Sequence, residues 1–235
     1  MDRFGRGTLD RRAAREGRLL ARVQGPREAG QPGLHALNLD ARRDAWLYVP
    51  RQYDPDRPAP LVLALHGAGG MGRNHLEHMR PLADEHGLIL LAPTSRESTW
   101  DVIYGEYGPD ILFIDRALNE TFDRYAVDPG HIAAEGFSDG ASYALSLGMA
   151  NGDLFTHILA FSPGFMAPLA QRGNPHIFIS HGTDDPDLRI DVCSRRLVPR
   201  LEGAGYDVRF VEFAGGHTVP PDIAEDAVRW FLAPS

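Results

Sequence analysis

Gly136-Phe137-Ser138-Asp139-Gly140 is the stretch that decides how this chain is interpreted. It joins a strand-like run at 131–135 to a helix-like run at 141–150. A strand, a sharp turn with serine at its apex and then a helix is the setting in which G-x-S-x-G presents a nucleophile. A side chain larger than glycine two residues from that serine would collide with the neighbouring backbone. The pentapeptide alone also fits an ordinary helix start capped by Ser138 or Asp139, so the flanking sequence must decide.

On both sides of the pentapeptide, runs of strand length alternate with stretches of helical periodicity. Strands are predicted at 34–39, 45–49, 61–65, 88–92, 131–135, 156–161, 177–180 and 208–213, and helices at 74–86, 109–125, 141–150, 190–203 and 221–232. The first two strands form an antiparallel pair. Strands separated by helices imply parallel crossovers, so the pattern predicts an α/β fold with a doubly wound sheet.

Length and composition favour one domain. The chain has 235 residues, 43% of them hydrophobic, which suffices for one substantial core. Residues 1–33 are rich in arginine and end in Gly25-Pro26 and Gln31-Pro32-Gly33. That composition predicts a loosely ordered N-terminal arm over 1–33, followed by a single domain over 34–235.

Charge and residue usage exclude several classes of function. The net charge of −8 argues against a nucleic-acid partner or an anionic membrane surface. All 24 basic residues are arginine, so lysine-based Schiff-base or P-loop chemistry is excluded. Cys193 is the single cysteine and has no nucleophile signature around it. No apolar run reaches the ~20 residues of a membrane span, and no signal-peptide core is seen, so we expect a cytoplasmic enzyme.

A serine nucleophile needs a base and a carboxylate that orients it. His217, in Gly215-Gly216-His217-Thr218, follows the last predicted strand, and loops at the carboxyl ends of strands build the sites of open α/β sheets. The segment His181-Gly182-Thr183-Asp184-Asp185 also follows a strand. Asp185 is the preferred acid, Asp184 is its main competitor and Asp187 a third candidate. The remaining aspartates are expected to cap a helix or hold a turn.

A glycine-rich loop, Leu65-His66-Gly67-Ala68-Gly69-Gly70, follows the first buried strand. Backbone N–H groups in such a loop can approach the negative charge that develops on a carbonyl oxygen during acyl transfer. We assign the two donors to the N–H groups of Ala68 and Asp139. The loop lacks both phosphate-binding patterns, and His66 is expected to brace it by hydrogen bonding rather than to react.

Taken in order, LHGAGG, GFSDGAS, HGTDD and GGHTVPP resemble the motifs of α/β-hydrolases. The similarity covers about residues 34–233 and is greatest to compact bacterial carboxylesterases, phospholipase/carboxylesterase-type hydrolases and polyhydroxybutyrate-depolymerase-like esterases. It implies the α/β-hydrolase fold, a mostly parallel sheet with helices on both faces. In that family the triad follows the order serine, aspartate, histidine. The family pattern places the acid on Asp185 and the first oxyanion donor on Ala68.

The chain departs from relatives of this kind at two places. Asp139 follows the serine where acyl-protein thioesterases usually have glutamine, which weakens a thioesterase assignment. Only residues 162–176 stand where many lipases insert a lid, so no lid domain and an open cleft are expected. The predicted loops near the strand ends also carry large apolar side chains that could wall an acyl pocket or merely seal the core: Trp100, Tyr104, Tyr107, Phe165 and Met166.

The sequence therefore predicts a serine carboxylesterase for small or short-chain esters, with Ser138 as nucleophile, His217 as base and Asp185 as orienting acid. No metal or other cofactor is expected. A thioesterase or acyltransferase with the same triad is the nearest alternative. A non-catalytic protein that binds small molecules on the same fold is the second.

Overall fold

The computed structural model describes residues 11–26 and 30–234. Its centre is one eight-stranded sheet with the order β1-β2-β4-β3-β5-β6-β7-β8. The strands are β1 Gly33–Ala36, β2 Ala45–Val49, β3 Ala59–Leu65, β4 Ile89–Pro93, β5 Val127–Phe137, β6 His157–Phe161, β7 His176–Gly182 and β8 Val208–Phe213. β2 pairs antiparallel with β1 and β4, and every other neighbour is parallel. The predicted antiparallel pair and parallel sheet are confirmed.

Helices cover both faces of this sheet, as predicted for an α/β-hydrolase fold. They are α1 Arg11–Arg15, α2 Gly72–His86, α3 Pro109–Arg124, α4 Asp139–Ala150, α5 Ser194–Gly203 and α6 Pro221–Phe231, with a short 3₁₀ helix at Asp101–Tyr104. The apolar faces of α2 and α6 pack on one side, and those of α3, α4 and α5 on the other. Among the described residues, no helix is long and apolar enough to cross a membrane.

The central strands are apolar without interruption because both of their faces are covered. In β3, Leu61 and Leu63 contribute to the core under α3 and α4, while Val62 and Ala64 contribute to the core under α2 and α6. All four side chains are fully buried. Burial of this kind, at about 25 cal/mol per Å² of apolar surface, is the main force holding the sheet between its helices.

The parallel strands bring the four sequence motifs together at one edge. β3, β5, β7 and β8 run in the same direction, so the loops after Leu65, Phe137, Gly182 and Phe213 leave the same edge of the sheet. Residues 162–175, between β6 and β7, form neither a helix nor a named strand. No lid therefore covers this edge from that connection.

Of the arm predicted over 1–33, residues 1–10 and 27–29 lie outside the described residues, and the described part contacts the core. Leu19 and Ala21 are buried in the core under α3 and α4. The N–H groups of Leu20 and Ala21 donate to the buried Asp115 carboxylate at 2.6 and 2.7 Å. The N–H of Leu19 donates to Asn151 Oδ1 at 2.8 Å. Partners about a hundred residues away hold this segment, and its local composition could not reveal them.

Candidate active site

Ser138 lies at the turn between β5 and α4 in a backbone conformation that side chains rarely adopt. Its φ is 58° and its ψ is −120°. The Ser138 N–H donates to the carbonyl of Phe161 at 2.9 Å, which ties the turn to the next strand. A Cβ on Gly136 would lie 2.3 Å from the carbonyl oxygen of Gly140, and one on Gly140 would lie 2.0 Å from that of Leu65. Both glycines of the pentapeptide are therefore required by close backbone approach.

The serine hydroxyl, one histidine and one aspartate form a continuous chain of hydrogen bonds. Ser138 Oγ lies 2.9 Å from His217 Nε2, and His217 Nδ1 lies 2.7 Å from Asp185 Oδ2. Since a carboxylate accepts, Nδ1 carries the proton and Nε2 is left to accept from the serine. The Asp185 side chain is fully buried and that of His217 is 14% exposed, so the chain of hydrogen bonds is closed to solvent at Asp185 and partly accessible at His217.

The environment of Asp185 keeps it ionised. Burial alone would raise its pKa, but hydrogen bonds from the Leu188 N–H and from His217 outweigh burial and lower that pKa. Asp185 Oδ1 accepts from the N–H groups of Asp187 and Leu188 at 3.0 and 2.8 Å. Asp184 is exposed, and its carboxylate instead accepts from the Thr183 hydroxyl at 3.2 Å. Of the adjacent pair, the structure brings Asp185 and not Asp184 to His217.

Asp187, the third candidate, is exposed but lies close to Asp185 and His217. One carboxylate oxygen of Asp187 lies within 4.8 Å of ligand atoms of Asp185 and His217. His217 and Asp185 already use these atoms to bind each other and Ser138. The Asp187 N–H, rather than its carboxylate, makes the bond to Asp185.

The glycine-rich loop after β3 lies directly beside the serine. A Cβ on Gly67 would stand 3.5 Å from Ser138 Cβ, so no side chain separates the two. The N–H groups of Gly69 and Gly70 bond the carbonyls of Ser98 and Gly67 at 2.7 and 3.0 Å. Within the described residues, the N–H groups of Ala68 and Asp139 donate to no acceptor. These are the two donors that the sequence assigned to the oxyanion site.

His66 braces this loop, as expected. Its Nδ1 donates to the Gly67 carbonyl at 2.7 Å, and its Nε2 accepts from the Ser95 N–H at 3.0 Å. Burial lowers the pKa of His66 to about 4, so the ring stays neutral near pH 7 and keeps this tautomer. A neutral ring bonded at both nitrogens is a support and not a reactive group.

Of the two roles that the sequence left open for Trp100, wall of a pocket or seal of the core, the structure favours the second. The indole is fully buried and stacks on Tyr143 with ring centroids 4.9 Å apart. Its Nε1–H donates to the His66 carbonyl at 2.8 Å. Because a buried indole N–H needs an acceptor, the ring sits under the glycine-rich loop and supports it.

The other four predicted wall residues divide between the surface and the core. Tyr104 is exposed, with its hydroxyl 2.7 Å from Ser98 Oγ. Tyr107 is 4% exposed, and its hydroxyl donates to the Ala167 carbonyl at 3.1 Å. Phe165 and Met166 are half-buried against the core. Tyr104 and Tyr107 do line one cavity, of about 510 Å³.

The same cavity reaches a residue that sequence reasoning missed. Thr99 lines it, and the Thr99 hydroxyl donates to Asp139 Oδ2 at 2.7 Å. Asp139 follows Ser138 in the chain, so this bond links a residue of the cavity to the turn that carries Ser138. Forty residues separate Thr99 from Asp139, and no local pattern signals such a contact.

Comparison with known proteins finds relatives that are named as esterases. No family model matches the chain. The chain is 26% identical over 261 residues to a probable feruloyl esterase C of Aspergillus oryzae, covering 91% of this chain and 94% of that protein. It is 28% identical over 243 residues to feruloyl esterase C of Emericella nidulans, covering 86% and 89% respectively.

Solved structures show the same fold. The carboxylesterase of Bacillus cereus superposes with a TM-score of 0.61 at 23% identity, over 82% of this chain and 94% of that one. The order of motifs, the sheet with helices on both faces and the serine turn after β5 agree with this likeness. The chain has the α/β-hydrolase fold and is similar along most of its length to feruloyl esterases.

Proposed function

We propose that this protein is a serine carboxylesterase that hydrolyses small carboxylic esters through an acyl-enzyme on Ser138. The observation that carries the proposal is the chain of hydrogen bonds from Ser138 Oγ through His217 to Asp185, at 2.9 and 2.7 Å. These distances are those at which a histidine can take a serine proton. The similarity to feruloyl esterases along most of the chain supports the same activity.

In the acylation step, Ser138 Oγ attacks the ester carbonyl while His217 Nε2 accepts the hydroxyl proton. Asp185 stabilises the imidazolium that forms, since its pKa is lowered and it stays charged. The carbonyl oxygen becomes an oxyanion between the N–H groups of Ala68 and Asp139. Donors that are already oriented stabilise this charge without reorganising, and one such donor is worth about 3 kcal/mol.

The ester then breaks down and the enzyme is restored. His217 gives its proton to the leaving alcohol, and the C–O bond of the ester breaks. A water molecule next gives a proton to His217 and attacks the acyl carbon. The acid leaves, and Ser138 recovers its proton from His217. Each step moves a proton through His217 Nε2, so neither a metal ion nor another cofactor is needed.

For the substrate class, we propose esters of small or aromatic acids. Residues 162–175 place no lid over the edge where the triad lies, so the site opens to solvent from that side. The cavity lined by Thr99, Tyr104 and Tyr107 lies beside the Thr99 hydroxyl that bonds Asp139, but neither Ser138 nor His217 lines it, so the aromatic preference rests on the relatives. The relatives named feruloyl esterase make hydroxycinnamate esters the first aromatic substrates to test.

Labelling by a fluorophosphonate, followed by mapping of the modified peptide, tests the nucleophile. We expect the label on Ser138. In Ser138→Ala, both the labelling and the hydrolysis of p-nitrophenyl acetate should be lost. Ser162→Ala is the matched control, because Ser162 also directly follows a strand and its own φ is also positive, at 52°. Unlike that of Ser138, its Oγ is buried with no hydrogen-bond partner in the described residues. Labelling that moves to Ser162 or persists in Ser138→Ala would contradict the proposal.

A further inference from the structure

His181 is the first residue of the segment that carries Asp185, and the steps above give it no part. It lies near the carboxyl end of β7, and its side chain is 0% exposed. A buried imidazole without hydrogen bonds destabilises the fold, so its partners reveal what holds it. Both ring nitrogens of His181 have partners, and these lie on different segments of the site.

The partners of His181 fix its tautomer. Nε2 lies 2.6 Å from the Leu188 carbonyl oxygen, which can only accept, so Nε2 carries the proton. Nδ1 lies 2.7 Å from Ser194 Oγ, and therefore accepts from that hydroxyl. Burial lowers the pKa of His181, which favours this neutral form. Ser194 is itself fully buried and begins α5.

The protonated nitrogen also faces the predicted triad acid. His181 Nε2 lies 3.3 Å from Asp185 Oδ2, the oxygen that accepts from His217 Nδ1. The other oxygen, Oδ1, accepts from the N–H groups of Asp187 and Leu188. His181 thus contacts the carboxylate itself and the carbonyl of Leu188, whose N–H holds the same carboxylate.

We propose that His181 is a positioning residue for ester hydrolysis: it holds the Asp185 carboxylate in the orientation that His217 requires, and the Ser194 hydroxyl holds the His181 ring in place. This inference rests on the proposed function, because it assigns His181 a role in that triad. His181 does not meet the substrate. Its contribution is to keep Oδ2 in line with the Nδ1–H of His217 and to prevent the turn at 185–188 from rotating.

Three variants separate positioning from folding. His181→Leu removes the donor. His181→Gln keeps an N–H at about the distance of Nε2 from the backbone. His157→Leu is the matched control, since His157 is a buried histidine in the same sheet, 4% exposed, but begins β6 at the opposite end of the strands. For each, kcat and KM are measured with p-nitrophenyl acetate. The proton on His217 Nδ1, which bonds Asp185 Oδ2, is followed by proton NMR, because a proton in a short hydrogen bond to a carboxylate resonates far downfield.

We expect His181→Leu to lower kcat about 10- to 100-fold. Replacing the residues that orient metal-binding side chains costs about as much, and His181 orients Asp185 in a comparable way. KM should stay within about threefold, because His181 makes no substrate contact. The downfield resonance should move upfield or disappear. His181→Gln should recover most of the rate and the resonance, and His157→Leu should match the unsubstituted protein in both. A folded His181→Leu protein with unchanged kcat and resonance would overturn the proposal, as would a His181→Gln protein no better than His181→Leu.

If His181→Leu does not fold, Ser194→Ala decides. It keeps the imidazole but removes the hydroxyl that bonds Nδ1, so the ring is less firmly held beside Asp185 and we expect the downfield resonance to broaden or shift and kcat to fall severalfold. An unchanged resonance and rate would overturn the proposal. The resonance needs no turnover, so it also separates this inference from the proposed function. A protein that keeps the His181-dependent resonance but hydrolyses no ester would refute the function and not the positioning.

Discussion

Replacing Asp185 by asparagine should lower kcat by about 10⁴-fold while leaving the fold intact, and the structure shows why. The asparagine Oδ1 can still accept from the N–H groups of Asp187 and Leu188, which now bond the aspartate at 3.0 and 2.8 Å. Its NH₂ group must then face His217 Nδ1, where a carboxylate oxygen now lies 2.7 Å away. Two donors cannot share that contact, so the histidine is driven to carry its proton on Nε2.

With its proton on Nε2, His217 donates toward Ser138 and can no longer accept the serine proton. A 10⁴-fold loss corresponds to about 5.4 kcal/mol of transition-state stabilisation, at 1.36 kcal/mol for each factor of ten. The free energy of unfolding should fall by less than about 2 kcal/mol, since the backbone contacts of the side chain survive.

The assay compares Asp185→Asn with Asp184→Asn, using p-nitrophenyl acetate and urea unfolding for both proteins. Asp184 is the matched control because it is adjacent in the chain but exposed, and its carboxylate meets the Thr183 hydroxyl. Asp184→Asn should keep its activity within about twofold. The reasoning is refuted if Asp184→Asn is the crippled enzyme, or if Asp185→Asn remains folded and active.

Gly136→Ala should abolish activity and destabilise the fold, because its Cβ would lie 2.3 Å from the Gly140 carbonyl oxygen, whereas Gly203→Ala, with nothing within 4 Å, should be tolerated; thermal unfolding of both checks this. Burial, followed by the charge of Asp101, raises the pKa of Asp110 from 3.8 to about 7. The stability that this group contributes is thus complete at low pH and is lost as pH rises through about 7. We expect the free energy of unfolding, measured by urea titration, to fall between pH 5 and pH 8 less steeply in Asp110→Asn than in the unsubstituted protein. The same slope in both proteins would contradict this. Chelators should leave ester hydrolysis unchanged, and inhibition by EDTA that zinc reverses would contradict a metal-independent mechanism.

The sequence predicted most of the sheet because its signals were local. Apolar runs such as 61–65 and 88–92 are buried on both faces, and burial on both faces is what an unbroken apolar strand requires. The spacing of glycines in 136–140 likewise reflects contacts within the turn and with the adjoining strand. Features that depend on residues nearby in the chain, or on burial of both faces of a strand, could be predicted without the structure.

Features set by distant partners could not be predicted from the sequence. The sequence left Trp100 open between a pocket wall and the edge of the core, and its ring stacks on Tyr143 and bonds the His66 carbonyl. Residues 1–33 were expected to form a loosely ordered arm, but in its described part Asp115 holds the N–H groups of Leu20 and Ala21. In each case the deciding contact is made by residues far apart in the chain, which the local sequence does not reveal.

The central claim is that Ser138 carries the acyl group during turnover. Mixing the protein with excess p-nitrophenyl acetate, quenching with acid within the first turnover and sequencing the peptides by mass spectrometry tests it directly. We predict a burst of p-nitrophenol that matches the enzyme concentration, and an acetyl group on the peptide that contains Ser138, both absent in Ser138→Ala. An acetyl group on another residue, or a burst that survives in Ser138→Ala, would contradict the account.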